Sequence, residues 1–205
     1  MSTKKVLIIF CLGILGIVLY SGCQGLQYKS NYHMDSQSLK GVKSLAVFPF
    51  HNLSQKTNAG IIMTNVLMAE LIKLEKFRLI KYGDVRKFFL IRRKISVSTI
   101  DIETLRAFRK QFKVEAVIIG TVLQYGVGNG YGAKRRKDEK STLPKITVHS
   151  TILDTRSGRI LGQGQFMEKG AAQGYLLGVK DRQAAFSLAQ KVAQRLVSAI
   201  GNDEV

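Results

Sequence analysis

The chain has 205 residues, and its 32 lysines and arginines against 14 aspartates and glutamates give a formal net charge of +18 at pH 7. The length suits one domain with a substantial buried core. Such positive charge would favour a nucleic-acid ligand in a cytosolic protein. In an exported protein it favours anionic lipid head groups and acidic envelope polymers instead.

Residues 1–22 have the pattern of a bacterial lipoprotein signal. Lys4 and Lys5 precede an apolar run over residues 6–19, and small residues lead up to Cys23. Tyr20 stands where the pattern usually has leucine. An uncleaved membrane anchor is the alternative, but the run is shorter than the ~20 apolar residues that cross a bilayer. We predict a signal peptide over residues 1–22 and acylation of Cys23.

Residues 23–41 are predicted to be a lipidated N-terminus and an irregular tether. They are rich in Ser, Asn, Gln and Gly and show no sustained periodicity. His33 is interpreted as a solvated residue of this tether. Gln24 replaces the aspartate that retains lipoproteins at the inner membrane, so the resemblance to such signals points to the outer membrane. With Cys11 removed and Cys23 acylated, no thiol remains for a disulfide or a metal site.

The first half of the domain alternates strands and helices. The apolar run 45–50 predicts a buried strand that ends or loses pairing at Pro49. A polar loop over 51–58 follows, and Asn58 is expected to cap a helix over 59–74. A second strand is predicted over 77–82.

Two further helices follow. Asp84 is expected to cap a short basic helix over 85–93 whose Phe88, Phe89 and Leu90 are assigned to the core. A helix opening at Thr99 or Asp101 is expected to reach Lys113.

The second half is dominated by strands. Residues 116–125 are predicted to form a central strand, and 146–153 and 159–168 form a hairpin around a tight turn at 154–158. Loops are predicted over 126–144 and 170–178. A long helix then runs from Asp181 to Gly201, and its apolar face is formed by Ala185, Leu188, Val192, Leu196 and Ile200.

This order predicts one α/β domain over residues 42–201, followed by a short tail at 202–205. The sheet is expected to be mixed, with about five strands, helices on its faces, and a C-terminal β-hairpin followed by a long helix.

Chemical motifs are weak in this sequence. Gly128-x-Gly130-x-x-Ala133 has the form of a dinucleotide fingerprint, but a cationic run follows it instead of a helix with an apolar face. His51 and His149 are interpreted as structural or surface residues rather than as bases or ligands. We therefore expect no catalytic residue, no metal and no cofactor, and hence no enzymatic activity.

One basic run is the candidate for binding, and it consists of Lys134, Arg135, Arg136 and Lys137. It is either a solvated loop or a contact with anionic lipid or polymer, at ~1 kcal/mol for each basic residue near the surface. The patch Arg92, Arg93 and Lys94 would extend it if the fold brings the two together.

Several segments resemble one family in the same order. Residues 42–50 with Asn52, the strand from Gly120 to Tyr125, and residues 152–161 are similar to envelope lipoproteins related to the curli-secretion channel CsgG, and more distantly to the activator LpoB. The resemblance covers residues 42–200. It implies a lipid-anchored, periplasm-facing domain at the outer membrane that acts in the assembly or transport of envelope components such as curli.

The membrane pore of that family is not expected here. Each spanning strand needs ~9–11 residues that alternate apolar with polar. The first candidate segment, 126–145, carries consecutive charges over 134–140, and the second, 168–180, is too short for two strands. The resemblance is therefore to the periplasmic domain without its pore.

The leading expectation is a non-enzymatic scaffold or accessory subunit that is anchored through its acylated N-terminus and binds envelope proteins. Homo-oligomer formation is left open, and neither nucleic acid nor a small-molecule substrate is expected. An LpoB-like regulator of a peptidoglycan synthase is the alternative, although a short tether argues against it. An envelope hydrolase is the third.

Overall fold

The computed structural model describes residues 31–92, 100–126, 144–170 and 181–201. In these segments a mixed sheet of seven strands carries helices on both faces, which confirms the predicted α/β class. The strands are β1 (Asn31–Met34), β2 (Ser44–Val47), β3 (His51–Asn52), β4 (Arg78–Leu79), β5 (Ala116–Gly126), β6 (Lys145–Asp154) and β7 (Ile160–Lys169). The helices are α1 (Ser36–Lys40), α2 (Ala59–Leu74), α3 (Tyr82–Ile91), α4 (Ile102–Phe112) and α5 (Asp181–Gly201).

The central strand is β5, as its sequence predicts. The sheet order is β1-β7-β6-β5-β2-β4, and β3 pairs separately with β5. β5 is parallel to β2 and β3 and antiparallel to β6. Its first residues, Ala116, Val117 and Ile118, are fully buried, because helices cover both faces of the sheet at this point. The predicted hairpin is confirmed as β6 and β7.

The strand predicted over 45–50 divides at Pro49. β2 ends at Val47, and the N–H of Phe48 still donates to the carbonyl of Ile118 at 2.9 Å. Pro49 has no N–H, so pairing is interrupted. It resumes at β3, where His51 lies opposite Thr121. The prediction of a loop from residue 51 is therefore wrong for His51 and Asn52.

The first face of the sheet is covered by α2 and α5, whose bounds agree with the prediction. Their aliphatic side chains form one core with β2, β5, β6 and β7, and the contributors from the two helices include Met63, Leu67, Leu71, Leu188, Val192 and Leu196. Glu70 joins the helices, because its carboxylate accepts from Lys73 at 2.7 Å and from Gln190 at 3.1 Å. Asn58 occupies the N-cap position of α2, but its side chain makes no capping bond, contrary to expectation.

The second face is covered at one end by α3 and α4, and its core is aromatic. Five phenylalanines meet there with ring centroids 4.7–6.1 Å apart, mostly edge to face: Phe48, Phe88, Phe89, Phe108 and Phe112. Such arrangements bring the positive ring edge of one residue to the negative face of another. Phe88 and Phe89 are core residues as predicted.

The start of α3 and the role of Leu90 differ from the prediction. The helix begins at Tyr82, and Asp84 lies in its first turn instead of capping it. β4 is shorter than expected, because the chain turns into the helix once Ile80 has bonded to the carbonyl of Leu45. Leu90 is 71% exposed, since each helical residue turns by about 100° and Phe88 and Phe89 already occupy the buried side.

The start of α4 is set by Asp101, one of the two residues predicted to open it. Its carboxylate accepts from the N–H of Thr104 at 2.6 Å. Leu105 and Phe108 are buried, in agreement with the helical spacing. The helix ends at Phe112, and the φ of 53° at its C-cap, Lys113, is left-handed.

The prediction of an irregular tether is wrong for residues 31–40. β1 pairs antiparallel with β7, and α1 follows, capped by Asp35. Gly162 and Gly164 of β7 leave room for Met34 and Tyr32, because a Cβ at either glycine would overlap these side chains. A four-residue strand shows too little alternation to be recognised in the sequence. His33 is exposed, although it lies in a strand.

Several predictions concern residues outside the described segments. They are the signal peptide, Cys23, the residues that follow it up to Ser30, the loop residues 127–143 and 171–180, and the tail at 202–205. Within the described segments, every helix is too short or too polar to traverse a lipid bilayer.

Candidate functional site

The residues singled out for binding in the sequence are not part of the described structure. Cys23 and the basic run from Lys134 to Lys137 lie outside it, and acylation and anion binding at these positions stay predictions. Arg92 is described and caps α3, with its guanidinium 4.4 Å from the ring centroid of Phe88. Its cation therefore contacts an aromatic ring. Arg93 and Lys94 lie outside the described segments, so the extension of the basic run by this patch stays a prediction.

An uncharged row crosses the part of the second face that α3 and α4 leave open. It consists of His51, Thr121, His149, Gln165 and Asn31, which lie opposite one another on five neighbouring strands. His149 and Gln165 are exposed, and His51 is half-buried. The two histidines are two strands apart, or roughly 10 Å, and thus too far for a direct hydrogen bond. Within the described segments, no three His, Cys, Asp or Glu residues are grouped to hold a metal.

The outward face of α2 is uncharged and mostly apolar, although the protein carries many charges. Ile61 is 55% exposed and Ile72 is 61% exposed, and the residues between them on the same side are Asn65, Met68 and Ala69. This spacing follows one side of a helix over about three turns. Lys73, the exposed charge nearest to it on α2, is paired with Glu70. We call Ile61, Asn65, Met68, Ala69 and Ile72 the α2 stripe.

A basic cleft of about 530 Å³ lies at the end of the sheet where β5 begins. It is lined by Arg106, Arg109, Lys110, Lys113, Glu115 and Arg156. α4 supplies the first three, its C-cap supplies Lys113, and the turn between β6 and β7 supplies Arg156. The cleft thus combines cations from two elements that are distant in the sequence.

The carboxylate of Glu115 fastens one wall of the cleft to β2. Its Oε2 accepts from the backbone N–H of Lys43 at 2.6 Å and of Ser44 at 3.0 Å. The bond from Lys43 is the largest cause that holds the pKa of Glu115 below its ordinary value, and the charge of Arg109 adds to the effect. Glu115 is therefore ionised at neutral pH and already bonded to the backbone.

Two arginines of the cleft are positioned by the β6–β7 turn. Arg109 Nη1 donates to the Oγ1 of buried Thr155 at 3.2 Å, and Arg106 Nε donates to the carbonyl of Arg156 at 3.3 Å. Thr155 Oγ1 lies 2.6 Å from the carbonyl of Val114, to which it donates. This network holds two guanidinium groups with most of their N–H donors still unused.

Sequence reasoning missed both the cleft and the α2 stripe. Arg106, Arg109, Lys110 and Lys113 recur at intervals of three and four, which places them on one side of α4, and this signal is visible in the sequence. The addition of Arg156 depends on the sheet and has no local signal. Similarly, the residues 59–69 contain no charge, which could have indicated a helix without a polar face.

No family model matches the chain, and no curated protein matches it. Solved structures similar to it include a variant of the PelC dodecamer from Paraburkholderia phytofirmans, with a TM-score of 0.53 at 11% identity over 85% of this chain and 98% of that one.

Two bacterial lipoproteins are also similar. Lipoprotein GNA1162 from Neisseria meningitidis has a TM-score of 0.47 at 19% identity, over 76% of this chain and 99% of that one. The LpoB C-terminal domain from Salmonella enterica has a TM-score of 0.44 at 14% identity, over 66% and 92%. At these identities the PelC likeness shows a shared α/β fold, and the resemblance to the curli-channel family stays a prediction.

Proposed function

We propose that the protein is a non-enzymatic, lipid-anchored scaffold or accessory subunit in the assembly or secretion of cell-envelope components. It would be held through acylated Cys23 at the outer membrane, with its domain facing the periplasm, and would act by binding other proteins. The observation that carries this proposal is the α2 stripe, which exposes apolar side chains on a helix of a strongly charged protein.

A helix that is apolar on all sides is typical of a buried position. α2 is buried on one side only, since Met63, Leu67 and Leu71 face the sheet while Ile61 and Ile72 face outward. The centres of protein interfaces are poor in charge and rich in apolar side chains. The composition of α2 is therefore explained if another protein covers its outward face.

We take the partner at the α2 stripe to be a second copy of the chain. The PelC protein that shares this fold is a dodecamer, which supports assembly of such domains into larger particles. Without residues 1–22, which contain Lys4 and Lys5, each copy keeps a formal charge of +16, so two copies repel one another. An uncharged helix face minimises that repulsion at the contact and offers apolar area to bury.

Oligomeric state tests this contact directly. The full-length chain in a nonionic detergent would be compared with an Ile61→Glu/Ile72→Glu variant by sedimentation velocity. We expect the parent chain to form oligomers and the variant to be monomeric, because each copy would place two carboxylates in the apolar contact. Leu90→Glu, which changes a residue of similar exposure on α3, is the control and should leave the oligomer intact.

Other outcomes would overturn the contact. If the parent chain is monomeric at all concentrations, the α2 stripe is not a contact between copies. An α2 variant that stays oligomeric would show that the copies associate through another surface.

The non-enzymatic part of the proposal needs a separate experiment. Purified chain would be incubated with generic ester, phosphate and glycoside substrates, and we expect no turnover. Turnover that disappears in His51→Ala or His149→Ala variants would make the protein a hydrolase and contradict the proposal.

A further inference from the structure

We propose that the basic cleft between α4 and the β6–β7 turn is a binding site for a phosphate monoester. The cleft brings five cations together around one carboxylate, and that carboxylate is already bonded to the backbone of β2. This site goes beyond the proposed scaffold function and involves no residue of the α2 stripe.

The cations of the cleft are mostly available for a ligand. The side chains of Lys110 and Lys113 have no hydrogen bond or ion pair with another residue in the described part of the chain, and both residues are exposed. Arg109 and Arg106 each use one donor to hold their position against the turn. A guanidinium has five N–H donors, so both groups retain several that can bind an oxyanion.

The general preference for basic residues at the C-terminal end of a helix does not account for all the cations of the cleft. Basic residues in the last turn of a helix are favourable because the carbonyl end of the helix is partially negative, and this explains Arg109 and Lys110. Arg106 lies further from that end, and Arg156 comes from the hairpin. Like charges from separate elements around a concavity raise the local concentration of anions.

The nearby carboxylates do not neutralise the cleft. Besides Glu115, the charge of Asp154 acts on Arg109, but Asp154 accepts bonds from the N–H groups of Arg156 and Ser157 within the turn. Both carboxylates are thus committed to shaping the walls. Two carboxylates offset only part of the charge of five cations, and an anionic ligand would offset the positive charge that remains.

The chemistry of the lining favours phosphate. Arginine forks match the oxygen geometry of phosphate through paired hydrogen bonds, and lysines add point charge. A volume of about 530 Å³ is of the size that accepts a small organic molecule and exceeds that of a lone phosphate ion. The ligand is therefore a phosphate monoester with a polar group attached, either free or as a lipid head group.

Two parallel titrations distinguish these sources. Full-length ¹⁵N-labelled chain in nonionic detergent would be titrated with glycerol 3-phosphate and followed by the backbone amide signals of Lys110, Lys113, Glu115 and Arg156. In the second arm, the same protein would be floated with phosphatidylcholine vesicles with and without phosphatidic acid, so that the gain caused by phosphatidic acid is measured above the flotation that the acylated N-terminus alone produces. Saturable shifts at the cleft identify a soluble ligand, and a gain in flotation from phosphatidic acid without such shifts identifies the lipid head group.

Variants link the binding to the cleft. We expect Lys110→Gln/Lys113→Gln to raise Kd roughly tenfold or more, because charge-assisted hydrogen bonds to the phosphate are lost. Arg156→Gln, a single change on the opposite wall, should weaken binding in whichever of the two titrations shows it for the parent chain. Lys56→Gln/Lys191→Gln removes the same charge from exposed positions elsewhere and should change Kd less than about twofold, since distant surface charges are screened.

Three results would overturn the site. One is no saturable binding in either arm. Another is an equal loss of affinity in the cleft variant and in the Lys56/Lys191 control, which would indicate attraction to the overall charge. The third is binding of succinate as tight as that of glycerol 3-phosphate, because a dicarboxylate of similar charge lacks phosphate geometry. Thermal unfolding of each variant verifies that it is folded.

Discussion

α2 and α5 cover the first face of the sheet along its length, whereas α3 and α4 cover only one end of the second. On the first face, residues near both ends of β5 and β6 are buried, among them Ala116, Val122, Ile146 and Ile152. On the second face, the aromatic core reaches Val117 and Leu153, and beyond it His149 is exposed.

The difference suggests that the first face mainly stabilises the sheet, whereas part of the second face is open to solvent and to ligands. A continuous aliphatic layer holds the strands together, so the second face can leave polar residues of the sheet in solvent. The basic cleft lies at the margin of the smaller layer, where α4 ends and the β6–β7 turn begins. The α2 stripe lies outside the larger layer. Both candidate surfaces are therefore built on rigid elements of the fold.

The largest expected effect comes from the centre of the smaller layer. Phe108 meets Phe48 at 4.8 Å and Phe88 at 4.9 Å between ring centroids and is fully buried. Phe108→Ala should lower the free energy of unfolding by about 3–5 kcal/mol, because it leaves a cavity where edge-to-face contacts were made. Urea denaturation measures this, with exposed Leu90→Ala as the control. A loss below about 1 kcal/mol would mean that α3 and α4 contribute little to the fold.

A matched pair of glycines compares the helices of the two faces. A Cβ on Gly60 of α2 would overlap the carbonyl oxygen of Phe50, whereas a Cβ on Gly83 of α3 meets nothing within 4 Å. Gly60→Ala should therefore cost about 1–3 kcal/mol of stability. Gly83→Ala should add about 0.5–1 kcal/mol, since alanine favours helix. Equal effects at the two sites, measured by thermal denaturation, would contradict the tighter packing of α2.

The link between the cleft and β2 gives a smaller effect that depends on pH. The pKa of Glu115 is lower in the folded state than in the unfolded chain, so the carboxylate stabilises the fold above about pH 4.5. This contribution is lost as the pH falls through the folded pKa. Glu115→Gln should cost about 1 kcal/mol at pH 7 and less at pH 3, as urea denaturation at the two pH values would show. If the loss of stability in Glu115→Gln did not change with pH, it would come from altered packing and not from the charge of the carboxylate.

The smallest expected effect concerns one hydroxyl on the second face. Thr147 is buried in β6, and its Oγ1 has no hydrogen-bond partner among the described residues. Thr147→Val keeps the shape and removes the unsatisfied hydroxyl, so it should be neutral or stabilise by up to about 1 kcal/mol. Thr151→Val, at a half-buried position of the same strand and face, is the comparison. Clear destabilisation by Thr147→Val would reveal a partner for this hydroxyl.

Long periodic segments of the fold could be predicted from the sequence. The bounds of α2, β5 and the hairpin follow from side-chain periodicity and turn residues, and Asp101 opens α4 through its carboxylate. The short elements β1, α1 and β3 could not be predicted. β1 exists because glycines of β7 accept Tyr32, and β3 exists because β5 continues past Pro49, and both causes are distant in the sequence.

The same reasoning explains which site residues were missed. Clusters of consecutive charge, such as Lys134 to Lys137, stand out in a sequence, whereas a site assembled from a helix and a hairpin does not. Arg109 illustrates this, because its position depends on Thr155, which is 46 residues away. The helical spacing of the α4 cations was visible, and its partner Arg156 was not.

The pairing of β1 with β7 also shortens the segment that joins Cys23 to the folded domain. Eighteen residue steps separate Cys23 from Gly41, but only eight separate it from Asn31, where the sheet begins. At 3.3–3.6 Å for each extended residue, the greatest reach falls from roughly 65 Å to roughly 29 Å. A domain acylated at Cys23 would therefore remain close to the leaflet that holds it, within touch of neighbours in the same membrane and unable to cross the periplasm.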